Sequence, residues 1–267
     1  MTETYELYAI RYASNPRRRR HENFLQLPPG DLHDGPMPID FYVWVAKSEK
    51  RTILIDSGAD AAMCRARGHD FLRCPTEGLK LLGIDAGAIG DVVTTHLHWD
   101  HAGNFDKFPN ARFHVQQREI SHATGPSMCN AFLRRPYDVE HAVGLMRALY
   151  AGRVAIHEGE EELAPGFTIR HVGGHTPGMQ IVRVMTRRGW VVVASDTLHF
   201  YANKETGSPF AVLVNVADYM AAWQALDRLA ETPNHIIPGH DPRVLSIYPG
   251  ARPGLGGIAV KLDVMPT

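Results

Sequence analysis

Three histidines and an aspartate, His96, His98, Asp100 and His101, fall within six positions directly after the run Val92-Val93-Thr94. Imidazole suits zinc and similar divalent ions, and a carboxylate beside it adds charge compensation. On an extended segment side chains alternate, so His96 and His98 point the same way and can share one ion. Asp100 and His101 come after the strand, where Gly103-Asn104 suits a turn, and can reach a second ion. A single histidine is ordinarily a packed or solvated residue, and the chain has fifteen. Four ligand-type side chains packed this closely form a metal motif.

The surrounding elements follow from periodicity. Strands are predicted over 5–12, 39–46, 52–55, 91–95, 112–115, 154–157, 168–172, 180–185, 190–194 and 235–237. Helices are predicted over 76–82, 117–123, 139–150 and 219–230. The stretch from Pro28 to Pro38 is rich in Pro, Gly and Asp and reads as loop, extending an N-terminal loop insertion of about 13–38. Within it, Arg17-Arg18-Arg19-Arg20 reads as a solvated run, because nothing else in the chain builds a basic face. Residues 124–136, between two helices, are expected to form a lid, and the whole chain a single domain. Three more ligand types sit at later strand ends. His175 follows Val172-Gly173-Gly174, Asp196 closes Val191 to Ser195, and His240 closes Ile236 to Gly239. Each alone could be structural; together they match the demand of a second ion for further ligands.

His-x-His-x-Asp-His after a strand resembles the signature of the metallo-β-lactamase superfamily. Ile84-Asp85, Asp91 to Thr95 and Gly103-Asn104 look more particularly like its N-acyl homoserine lactonase branch. The resemblance implies an α/β (α+β) fold, a four-layer αβ/βα sandwich, where periodicity alone gives only a mixed αβ protein. It places His96, His98 and His175 on one metal and Asp100, His101 and His240 on the other, with Asp196 bridging. Asp56, in Asp56-Ser57-Gly58, resembles the Asp-x-Gly that orients a ligand histidine in the family. The implied cofactors are two divalent ions, zinc first, with iron, manganese or cobalt as options. The implied activity is opening of a lactone, such as an N-acyl homoserine lactone, by a metal-bridging hydroxide, with Asp100 or Asp196 managing the proton. Alternatives are a thioester or cyclic amide hydrolase and, from another class, a non-catalytic metal-binding module. Relatives that carry a carboxylate in place of His98, a cysteine in place of Asp196, or an added basic domain fit less well. One position departs: where many lactonases have a tyrosine donor, this chain has His199, so the donor is His199 or Tyr201.

Composition sets the outer bounds. The 267 residues are 44% hydrophobic and 21% charged, with a formal net charge of -1, which gives no electrostatic reason to expect nucleic acid or an anionic membrane. Cys64, Cys74 and Cys129 form no C-x-x-C pair and read as reduced thiols of a cytoplasmic protein. The expected partner is a small-molecule substrate; oligomeric state stays open, a homodimer being one option.

Overall fold

Val191 to Ala194 is apolar at every position, so a strand there has two faces that both need cover. The structure, a computed structural model, describes residues 2–28, 30 and 34–267 and supplies that cover on each side. Among the described residues the strands are β1 (Glu6–Asn15), β2 (Ile39–Lys47), β3 (Thr52–Ile55), β4 (Asp70–Phe71), β5 (Asp91–Val93), β6 (Arg112–Gln116), β7 (Val154–His157), β8 (Glu160–Ala164), β9 (Phe167–His171), β10 (Gln180–Thr186), β11 (Gly189–Ser195), β12 (Ile236–Pro238) and β13 (Ala259–Lys261). The helices are α1 (Ala61–Ala66), α2 (Pro75–Leu81), α3 (Gln117–Ala123), α4 (Ala131–Arg134), α5 (Val139–Tyr150), α6 (Tyr201–Thr206), α7 (Val216–Leu229) and α8 (Arg243–Ile247). An eight-stranded sheet runs β13-β1-β2-β3-β5-β6-β7, with β4 also on β1; a five-stranded sheet runs β12-β11-β10-β9-β8.

Strand alternation sorts the side chains into layers. Leu7 and Ala9 of β1 face the second sheet, where Phe167, Val182, Val191 and Val193 meet them. Tyr8 and Ile10 face outward into a core shared with Leu79 of α2 and Leu145 of α5. On the far side Val192, Ala194 and Ile236 are covered by α7. That helix presents Tyr219, Trp223 and Leu226 at spacings of four and three, one face of a 3.6-residue turn. The result is the four-layer α/β/β/α sandwich. No helix among the described residues is long and apolar enough to cross a membrane.

The parallel strands β3 and β5 in one sheet, and β11 and β12 in the other, end on the same side of this sandwich as the sequence-predicted site. Open α/β sheets place chemistry at such carboxyl ends because the chain leaves the sheet there and its loops converge.

Several expectations need correction. β1 continues to Asn15, pairing Ala13 with Phe41 and Ser14 with Asp40, so the N-terminal loop starts later than expected. That loop is not simply solvated: Asn23 and Phe24 are buried, and Leu25 N donates to the Pro209 carbonyl. Residues 29 and 31–33 of the predicted loop lie outside the described residues. β8 went unpredicted because Glu160-Glu161-Glu162 looks like loop; as an edge strand it turns those charges to water. β13, from the glycine-containing tail, pairs with β1 and buries Ala259 in one core and Val260 in the other, but three residues are too short a run to show alternation in the sequence.

Phe167 is fully buried between the two sheets. Phe167→Ala is expected to lower unfolding free energy by about 3–5 kcal/mol in urea titration, because it leaves a cavity where the layers meet.

Candidate active site

His96, His98, Asp100 and His101 leave β5 on one loop, His175 lies on the β9–β10 loop, Asp196 follows β11 and His240 follows β12. All seven are buried. Their donor atoms form tight groups: His96, His98, His175 and Asp196 in one, Asp100, His101 and His240 in another, each within 4.8 Å. Asp196 lies between them with a separate oxygen toward each. Its Oδ1 is 3.0 Å from His101 Nε2 and 2.9 Å from His240 Nε2. Its Oδ2 is 3.1 Å from His175 Nε2 and 3.8 Å from His96 Nε2. Asp100 Oδ2 is 3.6 Å from both His101 and His240 Nε2.

The opposite ring nitrogens are fixed by acceptors, and this decides which nitrogen offers a lone pair. His240 Nδ1 donates to the Asp40 carbonyl and His175 Nδ1 to the Val212 carbonyl, each at 2.8 Å. Asp56 Oδ2 takes His101 Nδ1 at 2.7 Å, and the same carboxylate accepts Thr95 N and Thr95 Oγ1. The expected placement of Asp56 is therefore observed as geometry: it orients His101 and ties the motif loop to β3. Asp56 and Ser195 both have left-handed backbone, with φ of +60° and +45°. Non-glycine residues rarely adopt this conformation, and here it sits where two strands deliver carboxylate and ligand loops.

Electrostatics separates the two groups. Burial holds His96 and His98 well below the usual imidazole range, reinforced by neighbouring histidines. Burial also opposes a proton on His101 and His240, but the Asp196 and Asp100 carboxylates outweigh it and raise both. Burial disfavours the charge on Asp196, yet the surrounding imidazoles His101, His199, His240 and His175 hold it well below the carboxylate range.

A cavity of about 100 Å³ opens over Asp196 and Asp100, walled by Phe41, Trp99 and Phe210. Trp99 lines the cleft, stacked on His69 with rings 2° from parallel. Burial pushes His69 down to about 4. His199 is brought into the site: Nε2 lies 2.9 Å from Asp196 Oδ2 and Nδ1 lies 3.2 Å from the Tyr219 hydroxyl. Burial lowers His199 to about 3, so the ring is neutral at pH 7. A neutral ring beside a carboxylate places its proton on Nε2, so Tyr219 donates to Nδ1. Tyr201 is not brought in. It starts α6, its amide donates to Asp241 Oδ2, and its ring packs in the inter-sheet core under Arg243. The helix turn between positions 199 and 201 sends the two side chains apart.

Glu119, on α3, is a residue the sequence reading missed. It is fully buried, with Oε1 accepting Leu97 N and the Tyr137 hydroxyl and Oε2 accepting the Thr176 hydroxyl and Gly178 N. It thereby joins the His96–His101 loop to the His175 loop. A charged residue on a short helix resembles any solvated glutamate, so only its position in three dimensions marks it. Gly174, at φ +89°, packs directly on the Tyr219 backbone, where a Cβ would collide.

The donor set fits two divalent cations. Among the described residues His96 Nε2 and His98 Nε2 are buried and have no hydrogen-bond partner, and His98 Nδ1 and His175 Nε2 converge to 2.9 Å. Unpartnered buried nitrogens are costly unless something else takes the lone pair. The fold and this cluster define a protein with a dinuclear divalent metal site. The chain belongs to the metallo-beta-lactamase superfamily, which it matches over residues 39–240. It is 27% identical to an N-acyl homoserine lactonase of a Bacillus species over 202 residues, 69% of this chain and 73% of that one. It is 27% identical over 237 residues to the N-acyl homoserine lactonase AttM of Azorhizobium caulinodans, covering 82% and 87%. A solved quorum-quenching N-acyl homoserine lactone lactonase superposes with a TM-score of 0.73 at 23% identity, covering 90% of this chain and 93% of that one.

Glu119→Ala strands four donors and frees both loops. It is expected to cost about 3 kcal/mol or more in stability. It should also weaken metal affinity about 10–100-fold in chelator competition, as loss of a ligand-positioning contact does.

Proposed function

We propose that the chain is a dinuclear metal hydrolase that opens lactones. In this reading His96, His98 and His175 would hold one ion and Asp100, His101 and His240 the other, with Asp196 offering an oxygen to each. The observation that carries it is the Asp196 carboxylate with one oxygen toward each imidazole group, under a cavity small enough for a ring. The two relatives at 27% identity, both named as N-acyl homoserine lactonases, support the same substrate class. Zinc is the metal the imidazole-rich set suits first, with iron, manganese and cobalt accepted by the same ligands.

When bound, two such ions supply hydroxide at neutral pH and polarise a carbonyl oxygen. The chain does the rest. Asp196 and Asp100 fix the spacing of the two groups, and Asp100, at the floor of the cavity, takes the proton lost by the attacking hydroxide and returns it to the alkoxide oxygen as the ring C–O bond breaks, leaving a carboxylate and an alcohol. His199 donates from Nε2 toward the bridging carboxylate and, once a substrate carbonyl enters, is placed to donate to it instead, with Tyr219 holding the tautomer. This is the role a tyrosine takes at the corresponding position in many lactonases. Phe41, Trp99 and Phe210 exclude bulk water, which strengthens each of these contacts. The segment ending at Pro136 closes one wall and serves as the lid. Three free cysteines, none paired, suit a reducing cytoplasm.

A panel of γ- and δ-lactones, acyl homoserine lactones, a glutathione thioester and a cyclic amide should show proton release concentrated on the lactones. Turnover confined to the thioester or the amide would overturn the reading. For His199→Phe, kcat should fall about tenfold or more with metal content retained. An unchanged kcat would remove His199 from the donor role.

A further inference from the structure

The four consecutive arginines divide their contacts unequally. Arg17 pairs with Asp70 at 2.9 Å, Arg19 pairs with Asp34 at 2.7 Å, and the Arg20 guanidinium lies 4.8 Å over the Phe24 ring. Arg18 instead enters the wall of the cavity over Asp196. Its Nε donates to Asn23 Oδ1 and its Nη2 to the Glu22 carbonyl at 2.9 Å. Nη1 makes no hydrogen bond and Arg18 forms no ion pair among the described residues. The nearby Glu22 carboxylate is occupied by the Arg19 amide at 2.7 Å. Both hydrogen-bond partners of Arg18 are neutral acceptors, and the carboxylates whose charge it feels, Glu22 and Asp100, form no ion pair with it, so a half-buried cation is left without a direct carboxylate contact.

The side chain is also held rigidly. Asn23 is fully buried, donates to the Met37 carbonyl, and has its own carbonyl capped by Asn203. The guanidinium lies 5.3 Å over the Phe210 ring, which stacks on His199 at 3.6 Å and 10°. The column Arg18, Phe210, His199 therefore ends at Asp196, 2.9 Å from His199 Nε2. Burial lowers the Arg18 guanidinium, while Glu22 and then Asp100 push it back up, so its charge is felt across the cavity. Space is short: the cavity is about 100 Å³, and the apolar groove beside it, under Phe132, Leu133 and Val214, is about 30 Å³. A ring with a small substituent fits within this space.

We propose that Arg18 is the anion anchor of this pocket, and that the lactone opened here carries a carboxylate held by Arg18 while the ring carbonyl lies over Asp196. A guanidinium fork matches a carboxylate in geometry and charge, which a neutral substituent does not. The inference rests on the lactonase reading and narrows its substrate class.

The test uses the metal-loaded protein with γ-butyrolactone-γ-carboxylate and its primary amide, and calorimetric titration with cyclopentanecarboxylate and cyclopentanecarboxamide, which carry no scissile bond. The acid lactone should be preferred about 30-fold in kcat/KM, mostly through KM, with the preference lost in Arg18→Met and partly kept in Arg18→Lys. Turnover with a preference that Arg18→Met leaves intact, or none in the parent protein, would overturn the anchor and leave lactone opening standing. If neither lactone is opened, calorimetry decides. Arg18-dependent binding of the cyclic carboxylate over the carboxamide supports the anchor while lactone opening falls; equal binding of the two overturns the anchor.

Discussion

One buried carboxylate sets the geometry on which the site depends. Asp196 presents Oδ1 to His101 and His240 and Oδ2 to His175 and, further off, His96, so two groups of imidazoles from three loops meet at a residue on a fourth. Four facing histidines keep that carboxylate ionised despite full burial. On the far side of the ring, His240 and His175 are locked by main-chain carbonyls, His101 by Asp56 and His199 by the Tyr219 hydroxyl. A carboxylate so surrounded, beside buried imidazole nitrogens with no partner among the described residues, is a donor set that divalent cations fit. The strained backbone at Ser195, immediately before Asp196, and at Asp56 belongs to the same constraint: the strands must stop where their side chains can converge.

The sandwich exists to hold the four loops in register. Apolar strands with alternate residues facing two different cores fix β5, β11 and β12 by burial on both sides, so the residues immediately after them inherit defined positions. The loops themselves are joined by polar groups, Glu119 between the His98 and His175 segments and Gln180 from its amides to the Thr94 and His114 carbonyls. Such a network rigidifies only when every member is satisfied, which is the case for the four acceptances at Glu119.

How much of this was legible depended on locality. The His96–His101 cluster, the strand-end positions of His175, Asp196 and His240, and the amphipathic face of α7 are written in short spacing and in alternation, so sequence reading reaches them. The fold and the superfamily followed from these with the resemblance. Glu119, Tyr219, Phe210 and Arg18 act from distant segments, and no local pattern separates them from solvated or core residues of the same type. Arg18 in particular looks like its three neighbours, and only the fold of the N-terminal segment turns it into the cavity. The choice between His199 and Tyr201 could not be made without knowing where α6 begins, since two positions at a helix start are enough to send side chains to opposite sides. β8 was missed because its exposed glutamates hide an edge strand, and β13 because its three residues are too short a run to show alternation.

The most direct measurement is metal content per chain, by plasma mass spectrometry after loading and desalting, in the parent protein and in Asp196→Ala, with lactone hydrolysis followed on the same samples. If one carboxylate joins both positions, the parent protein carries two divalent ions and the variant loses paired occupancy and turnover together. An Asp196→Ala protein that keeps two ions and full hydrolysis would contradict the account.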